Sequence, residues 1–291
     1  MKYGVIDVGS NSVRLMISDG KNTLSKELIT CRLAEGIDRA TAALDADAIE
    51  RGVTAVSFFY EKAKRLGADK IYAFGTAALR NISNQSDFTD KLKEKVPLYL
   101  DIISGKEEAF IGALGAIGKG DGAIIDIGGG STEVTVKCGD KIIYSDSFPL
   151  GAVALRRDFG EDNAAFEAEI DGVINGRDFT ENPINGVKVY GIGGTITSVS
   201  AVLLGLKEYD KNKVHGSMIN ISTLGEFYDK LKTMTIEERK TLKPLDDKRG
   251  EVLPMGVAIL LKVMKKLNLN NLTVSEKDNL EGYLAVKESI L

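Results

Sequence analysis

Two hydrophobic periods alternate along this chain. Short β-branched or continuously apolar runs over residues 4–8, 13–17, 70–74, 98–103, 123–127, 133–136, 187–191 and 272–275 predict strands. Between them, apolar residues recur at helical spacing. Ile49, Val53, Val56, Phe59 or Tyr60, Ala63 and Leu66 form one stripe, opened by Asp45 as N-cap and closed by Gly67. A second helix is expected over residues 87–95. A third starts at Ser104, where Ser104 and Glu107 have capping-box spacing and Phe110, Ala113, Leu114 and Ile117 form the buried stripe. Further helices are expected within residues 153–173, from about 197, over 224–233, over 256–267 and over 280–290. Strands alternating with helices indicate an α/β fold.

One pattern occurs twice. Residues 4–12 (GVIDVGSNS) echo residues 123–131 (AIIDIGGGS). Each copy is a β-branched strand ending in Asp, then a glycine- and hydroxyl-bearing turn, then a second alternating stretch. This is the pattern of a β-hairpin whose turn is built for contact. One copy in each half points to two similar domains. Residues 118–122 have linker composition, which sets the domains at 1–120 and 121–291. The final helix, about 280–291, is free to pack back on the first domain.

The second turn carries the strongest candidate chemistry. Gly128, Gly129 and Gly130 let backbone N–H groups converge on one anion, and Ser131 and Thr132 add hydroxyls. Asp126 and Glu133 flank the turn. Two carboxylates beside a phosphate cradle repel the ligand unless a hard cation such as Mg²⁺ joins them. The plain alternative is a glycine-rich hairpin capped by acids. The first turn offers Ser10, Asn11 and Ser12, with Arg14 on the Ser12 face of the strand. A third glycine turn, Gly193, Gly194 and Thr195, follows a strand and opens a helix, where amides favour anions or simply allow close packing. Capping explains Glu107 and leaves Glu108 at a strand's carboxyl edge, placed to orient or deprotonate water or merely to favour the first helical turn. Arg80 follows another strand end, as a phosphate clamp or a surface ion-pair partner. His215 is the only histidine and reads as structural.

Composition narrows the ligand. The chain has 291 residues and a net charge of −4. Bulk electrostatics therefore favour neither nucleic acid nor an anionic membrane. A polyanionic ligand must be held locally, by amides, a few cations or a metal. Two distant cysteines, Cys31 and Cys138, make neither a zinc site nor a disulfide framework and suit a reducing cytoplasm. No apolar run approaches the roughly 20 residues of a membrane span, and the chain reads from Met1 straight into a strand.

These motifs resemble those of the exopolyphosphatase/guanosine pentaphosphate phosphatase (Ppx/GppA) family, within the sugar kinase–Hsp70–actin superfamily. The resemblance rests on residues 7–14, 30–36, 75–80, 103–109, 126–133, 149–153, 193–195 and 214–216. It implies two ribonuclease H-like (actin/Hsp70 ATPase-like) domains facing across a cleft. It implies Glu108 as the catalytic carboxylate that activates water, and Asp126 and Glu133 as ligands of Mg²⁺ and its waters. Phosphate contacts are expected from Ser10, Asn11, Ser12, Arg80, Gly128, Gly129, Gly130, Ser131, Gly193, Gly194 and Thr195. Ala34 stands where the family carries Gly, so that turn is expected to differ. Leu280 stands where an Arg is usual, so a basic clamp is expected to be missing.

The activity expected is Mg²⁺-dependent release of terminal phosphate from inorganic polyphosphate. The sister activity, removal of the 5′ γ-phosphate of guanosine pentaphosphate, is the nearest alternative, and the short two-domain length favours polyphosphate. An ATP-dependent kinase of the same superfold and a non-catalytic polyphosphate or nucleotide sensor stand further off. A homodimer is an open possibility for the assembly.

Overall fold

All six residues of Tyr3–Val8 are buried. A strand with no exposed position needs partners on both edges and cover on both faces. The computed structural model provides both, and it describes residues 1–289 except 39, 140, 178–183, 185 and 246. The chain divides into Met1–Gly115 with Asn279–Leu291, and Ala116–Asp278.

The first unit runs β1 (Tyr3–Val8), β2 (Ser12–Ser18), β3 (Thr23–Thr30), a 3₁₀ turn (Leu33–Gly36), α1 (Ala46–Arg65), β4 (Lys70–Gly75), α2 (Ala77–Arg80), α3 (Gln85–Lys95), β5 (Leu100–Ile102) and α4 (Gly105–Ile117). Its sheet has the order β3-β2-β1-β4-β5. β1 is antiparallel to β2 and parallel to β4. Successive β1 residues serve opposite faces, as strand geometry requires. Ile6 and Val8 join Leu15, Val53, Val56, Phe59 and Phe88 in one core layer. Tyr3 and Val5 join Met16, Phe74, Ile111 and Tyr283 in the other.

The second unit runs β6 (Gly122–Ile127), β7 (Thr132–Cys138), β8 (Lys141–Phe148), α5 (Ala152–Phe159), α6 (Asn163–Asn175), β9 (Val189–Ile192), α7 (Gly193–Leu203), α8 (Lys211–Val214), β10 (Met218–Asn220), α9 (Ile221–Thr233), α10 (Ile236–Lys240), α11 (Asp247–Lys266) and β11 (Asn271–Val274). The order β10-β11-β9-β6-β7-β8 repeats the first sheet and adds a strand. Both units have the ribonuclease H-like arrangement. The last helix, α12 (Asn279–Glu288), belongs to the first unit. There Glu281 accepts from Thr23 Oγ1 at 2.7 Å and Lys26 Nζ at 2.9 Å.

Several elements differ from the sequence expectation. Edge strands β3 and β8 alternate too irregularly to stand out. The helices expected within residues 153–173 are present as α5 and α6, with Gly160 (φ 59°) between them. α7 starts at Gly193 itself. α11 begins at Asp247 and carries Pro254 inside it. Because proline lacks an N–H and reads as a helix start, the first turns of α11 are hidden in the sequence. No described helix is long and apolar enough to cross a membrane.

Candidate functional site

The two echoed hairpins close in the same way. Gly9 N–H donates to Ser12 O at 3.0 Å, and Gly128 N–H to Ser131 O at 2.9 Å. Their carbonyls are then pinned back by the next segment of chain. In the first unit Ser10 O accepts from Ala34 N–H at 2.9 Å, and Asn11 O accepts from Cys31 and Arg32 N–H at 2.9 and 2.8 Å. In the second, Gly128 O accepts from Ala152 N–H at 3.1 Å, and Gly129 O from Val153 and Ala154 N–H at 3.0 and 2.9 Å. A carbonyl and the next N–H share one trans peptide and point opposite ways. Pinning these carbonyls therefore turns the N–H groups of Asn11, Ser12, Gly129 and Gly130 outward. The Gly129 and Gly130 amides donate to no described residue. Convergent amides of this kind make an anion nest. The expectation for Gly128 is corrected, because its N–H is used inside the hairpin.

Ala34 carries no backbone strain. The left-handed residue of its turn is Arg32 (φ 49°), and the Ala34 N–H makes its bond to Ser10 O.

In the first unit, Asp7 and Arg14 are cross-strand partners. Arg14 Nε donates to Asp7 Oδ2 at 3.0 Å, and Nη2 meets the same oxygen. Arg14 thus neutralises the strand below the loop.

Arg80 and Glu108 meet in the same unit. Arg80 Nη1 donates to Glu108 Oε2 at 2.8 Å and to Ile103 O at 3.0 Å. Their side chains are 23% and 11% exposed. The rest of the guanidinium fork bonds to no described residue. Glu107 does what its spacing predicts: Ser104 N–H donates to Glu107 Oε2 at 2.7 Å, and Glu107 N–H to Ser104 Oγ at 3.2 Å. The Ser104 backbone N–H, then its hydroxyl, hold the Glu107 carboxyl below the usual glutamate range. One neighbouring acid is a cap, and the other faces an arginine.

In the second unit the register is the same but the charge is changed. Asp126 pairs across the hairpin with Glu133, at the position that Arg14 holds opposite Asp7. Two carboxylates on adjacent strands share one face of the sheet. Glu133 is 6% exposed and accepts from Ser147 Oγ at 2.8 Å. Asp126 leans on the third glycine turn, where a Cβ at Gly193 (φ 84°) would collide with its Oδ1. A set of all-oxygen donors supplying two carboxylates suits Mg²⁺, which completes its octahedron with water and phosphate oxygens. No group of three or more potential His, Cys, Asp or Glu ligands exists among the described residues.

Gly194 reveals a residue that the sequence reading missed. A Cβ there would lie 2.7 Å from both terminal nitrogens of Arg249 on α11. Arg249 therefore brings a guanidinium to the glycine turn beside Asp126. The apolar pair Val252 and Leu253, both buried, was the available signal that α11 continued before Pro254. Thr195 is 7% exposed, and its Cγ2 occupies the space a Cβ at Gly256 would need. It packs α7 against α11. Leu280 has no exposed surface and sits in the apolar layer with Val5 and Phe74. His215 Nδ1 accepts from Glu276 N–H at 3.2 Å, a structural role.

Residues 15–289 match the Ppx/GppA phosphatase family. Exopolyphosphatase 2 of Mycobacterium tuberculosis is 29% identical over 311 residues, covering 97% of each chain. Guanosine-5'-triphosphate,3'-diphosphate pyrophosphatase of Vibrio campbellii is 27% identical over 94% of this chain. The chain spans 56% of that protein, and 45% of a bifunctional 3-dehydroquinate synthase/phosphatase from Fusobacterium nucleatum. Among solved structures, the Aquifex aeolicus PPX-GPPA enzyme matches 98% of this chain at 28% identity, with a TM-score of 0.79.

Proposed function

This chain belongs to the Ppx/GppA phosphatase family, and from that membership we propose that it hydrolyses the terminal phosphoanhydride of inorganic polyphosphate. The observation that carries the reading is the Arg80–Glu108 pair beside an amide nest in the first unit. In this mechanism Glu108 orients a water molecule and accepts its proton as the water oxygen attacks the terminal phosphorus. The P–O bond to the rest of the chain breaks, and the bridging oxygen leaves. Arg80 holds the carboxylate with Nη1, which leaves Nη2 and Nε for a phosphoryl oxygen. The outward amides of the glycine turns and Arg249 offset charge on the phosphates. Asp126 and Glu133 would hold Mg²⁺, which supplies positive charge to the phosphoryl oxygens when bound. With a net charge of −4, attraction for a polyanion must come from these local groups. Buried Cys31 and exposed Cys138 are not joined in a disulfide, which suits work in the cytoplasm.

Guanosine pentaphosphate is the second reading, supported by relatives named for that activity over 94% of the chain. End-to-end similarity to an exopolyphosphatase favours polyphosphate. Phosphate release from polyphosphate, guanosine pentaphosphate and ATP, compared with and without Mg²⁺, separates the readings. Polyphosphate is expected to be the best substrate, and excess chelator is expected to abolish release. Faster release from guanosine pentaphosphate would move the assignment to the sister activity. Tight binding without any release would make the protein a sensor.

A further inference from the structure

A cavity lies wholly in the first unit, at the amino-terminal end of β4. It has a volume of about 540 Å³, within the range of small-molecule sites. It exists because β5 is short. β4 pairs with β5 only from Ala73 onward, so the stretch before Ala73 lacks a strand neighbour on that side. Arg80 and the 9–12 loop lie at the other end of the sheet, about 15 Å away at roughly 3.3 Å per strand residue.

The lining is unusual for a structural gap. Four of the chain's nine tyrosines line it: Tyr60, Tyr72, Tyr99 and Tyr283. Two are fixed. Tyr72 Oη bonds to the Glu288 carboxylate, and Tyr283 Oη donates to Asp101 at 2.9 Å. The other two hydroxyls bond to no described residue, and Tyr99 is 77% exposed. Two lysines complete the wall, each four residues after a tyrosine on its helix. Lys64 Nζ lies 5.5 Å from the Tyr60 ring centre, and Lys287 Nζ 5.1 Å from the Tyr283 ring centre. Lys287 also donates to Asp101 at 2.9 Å. Lys64 forms no ion pair with a described residue, so its charge is available. Asp69 also lines the cavity, with Oδ2 accepting from Lys2 N–H at 2.7 Å. That carboxylate opposes a polyanion but tolerates a single anionic group placed near Lys64.

We propose that this cavity binds a planar aromatic ring bearing one anionic group, the chemistry of a purine nucleoside monophosphate, at a site separate from the phosphate loops. The ring stacks on the tyrosines, with Tyr99 closing over it. Its phosphate pairs with Lys64, whose ammonium already lies over an aromatic face. The inference does not depend on the hydrolytic reading, because its readout is binding.

Calorimetric titration with AMP, adenosine and inorganic phosphate tests it on the full chain, alongside Tyr99→Ala and Lys64→Glu. Both side chains are exposed, so both variants should melt as the parent does. AMP is expected to bind one site, and each substitution to weaken it about tenfold or more. Adenosine should bind more weakly than AMP, and inorganic phosphate should give no signal sensitive to either substitution. Phosphate release without AMP should be unchanged in both variants. Absence of AMP binding at millimolar concentration, or equal binding to all three proteins, would overturn the proposal.

Discussion

Replacing Arg80 by Gln isolates the least obvious part of the mechanism, the dependence of Glu108 on a guanidinium. Arg80 Nη1 makes two bonds, to Glu108 at 2.8 Å and to Ile103 O at 3.0 Å. Hydrogen bonds involving a charged group contribute about 1.5–3 kcal/mol each. The two side chains are 23% and 11% exposed, so solvent screening lowers but does not erase this contribution. Taking about 2–3 kcal/mol for the hold on Glu108, and roughly tenfold per 1.4 kcal/mol, kcat should fall roughly 30- to 150-fold. Loss of the neighbouring positive charge should also move the acidic limb of the rate profile to higher pH, because a nearby cation favours the ionised carboxylate. Arg80→Lys keeps the charge but not the two-acceptor geometry, and should fall between the two. The assay is kcat against pH for the three proteins, with a thermal melt to exclude unfolding. A Gln variant with kcat within about threefold of the parent and an unmoved acidic limb would refute the positioning argument.

Other outcomes follow from single contacts. Gly193→Ala puts a Cβ into Asp126 Oδ1 at a left-handed backbone position (φ 84°). It should cost about 1–2 kcal/mol of stability and raise the Mg²⁺ concentration needed for half activation; an unchanged Mg²⁺ titration would remove Asp126 from the metal site. Glu107→Ala breaks the cap on α4, and should cost about 0.5–1 kcal/mol at pH 7 for so exposed a group. Its carboxyl is depressed in the folded state, chiefly by the Ser104 N–H. The stabilisation is therefore present above the unfolded carboxyl range and disappears as pH falls through the folded value. Denaturant melts at pH 7 and pH 3 should show the variant's deficit shrinking in acid, and an equal deficit at both would contradict the capping account.

The sequence was most informative where local chemistry and fold agree. Asp7 and Asp126 end strands that are buried because they are central, and glycine turns with hydroxyls follow them, so the repeated hairpin was visible as a pattern. Ser104 and Glu107 were equally legible, because a capping box is a contact between neighbours in the chain. Long-range placement was not. That Arg80 reaches Glu108, 28 residues on, depends on β4 and α4 meeting at one sheet edge. Thr195 follows two glycines in the sequence, but the packing of its methyl group against Gly256 of α11 is visible only in the fold. The burial of Leu280 appears only once α12 covers the first sheet. Arg249 was hidden because the helical pattern shows only over 256–267, whereas α11 begins at Asp247 and runs through Pro254.

In the proposed mechanism the Glu108 carboxylate drives hydrolysis. The direct measurement is single-turnover release of phosphate from polyphosphate by Glu108→Gln in saturating Mg²⁺, with polyphosphate binding measured on the same preparation. The amide keeps the shape and a hydrogen bond to an oxygen but cannot take a proton. Loss of nearly all turnover with binding retained is the result predicted. Turnover close to that of the parent would show that another group activates the water.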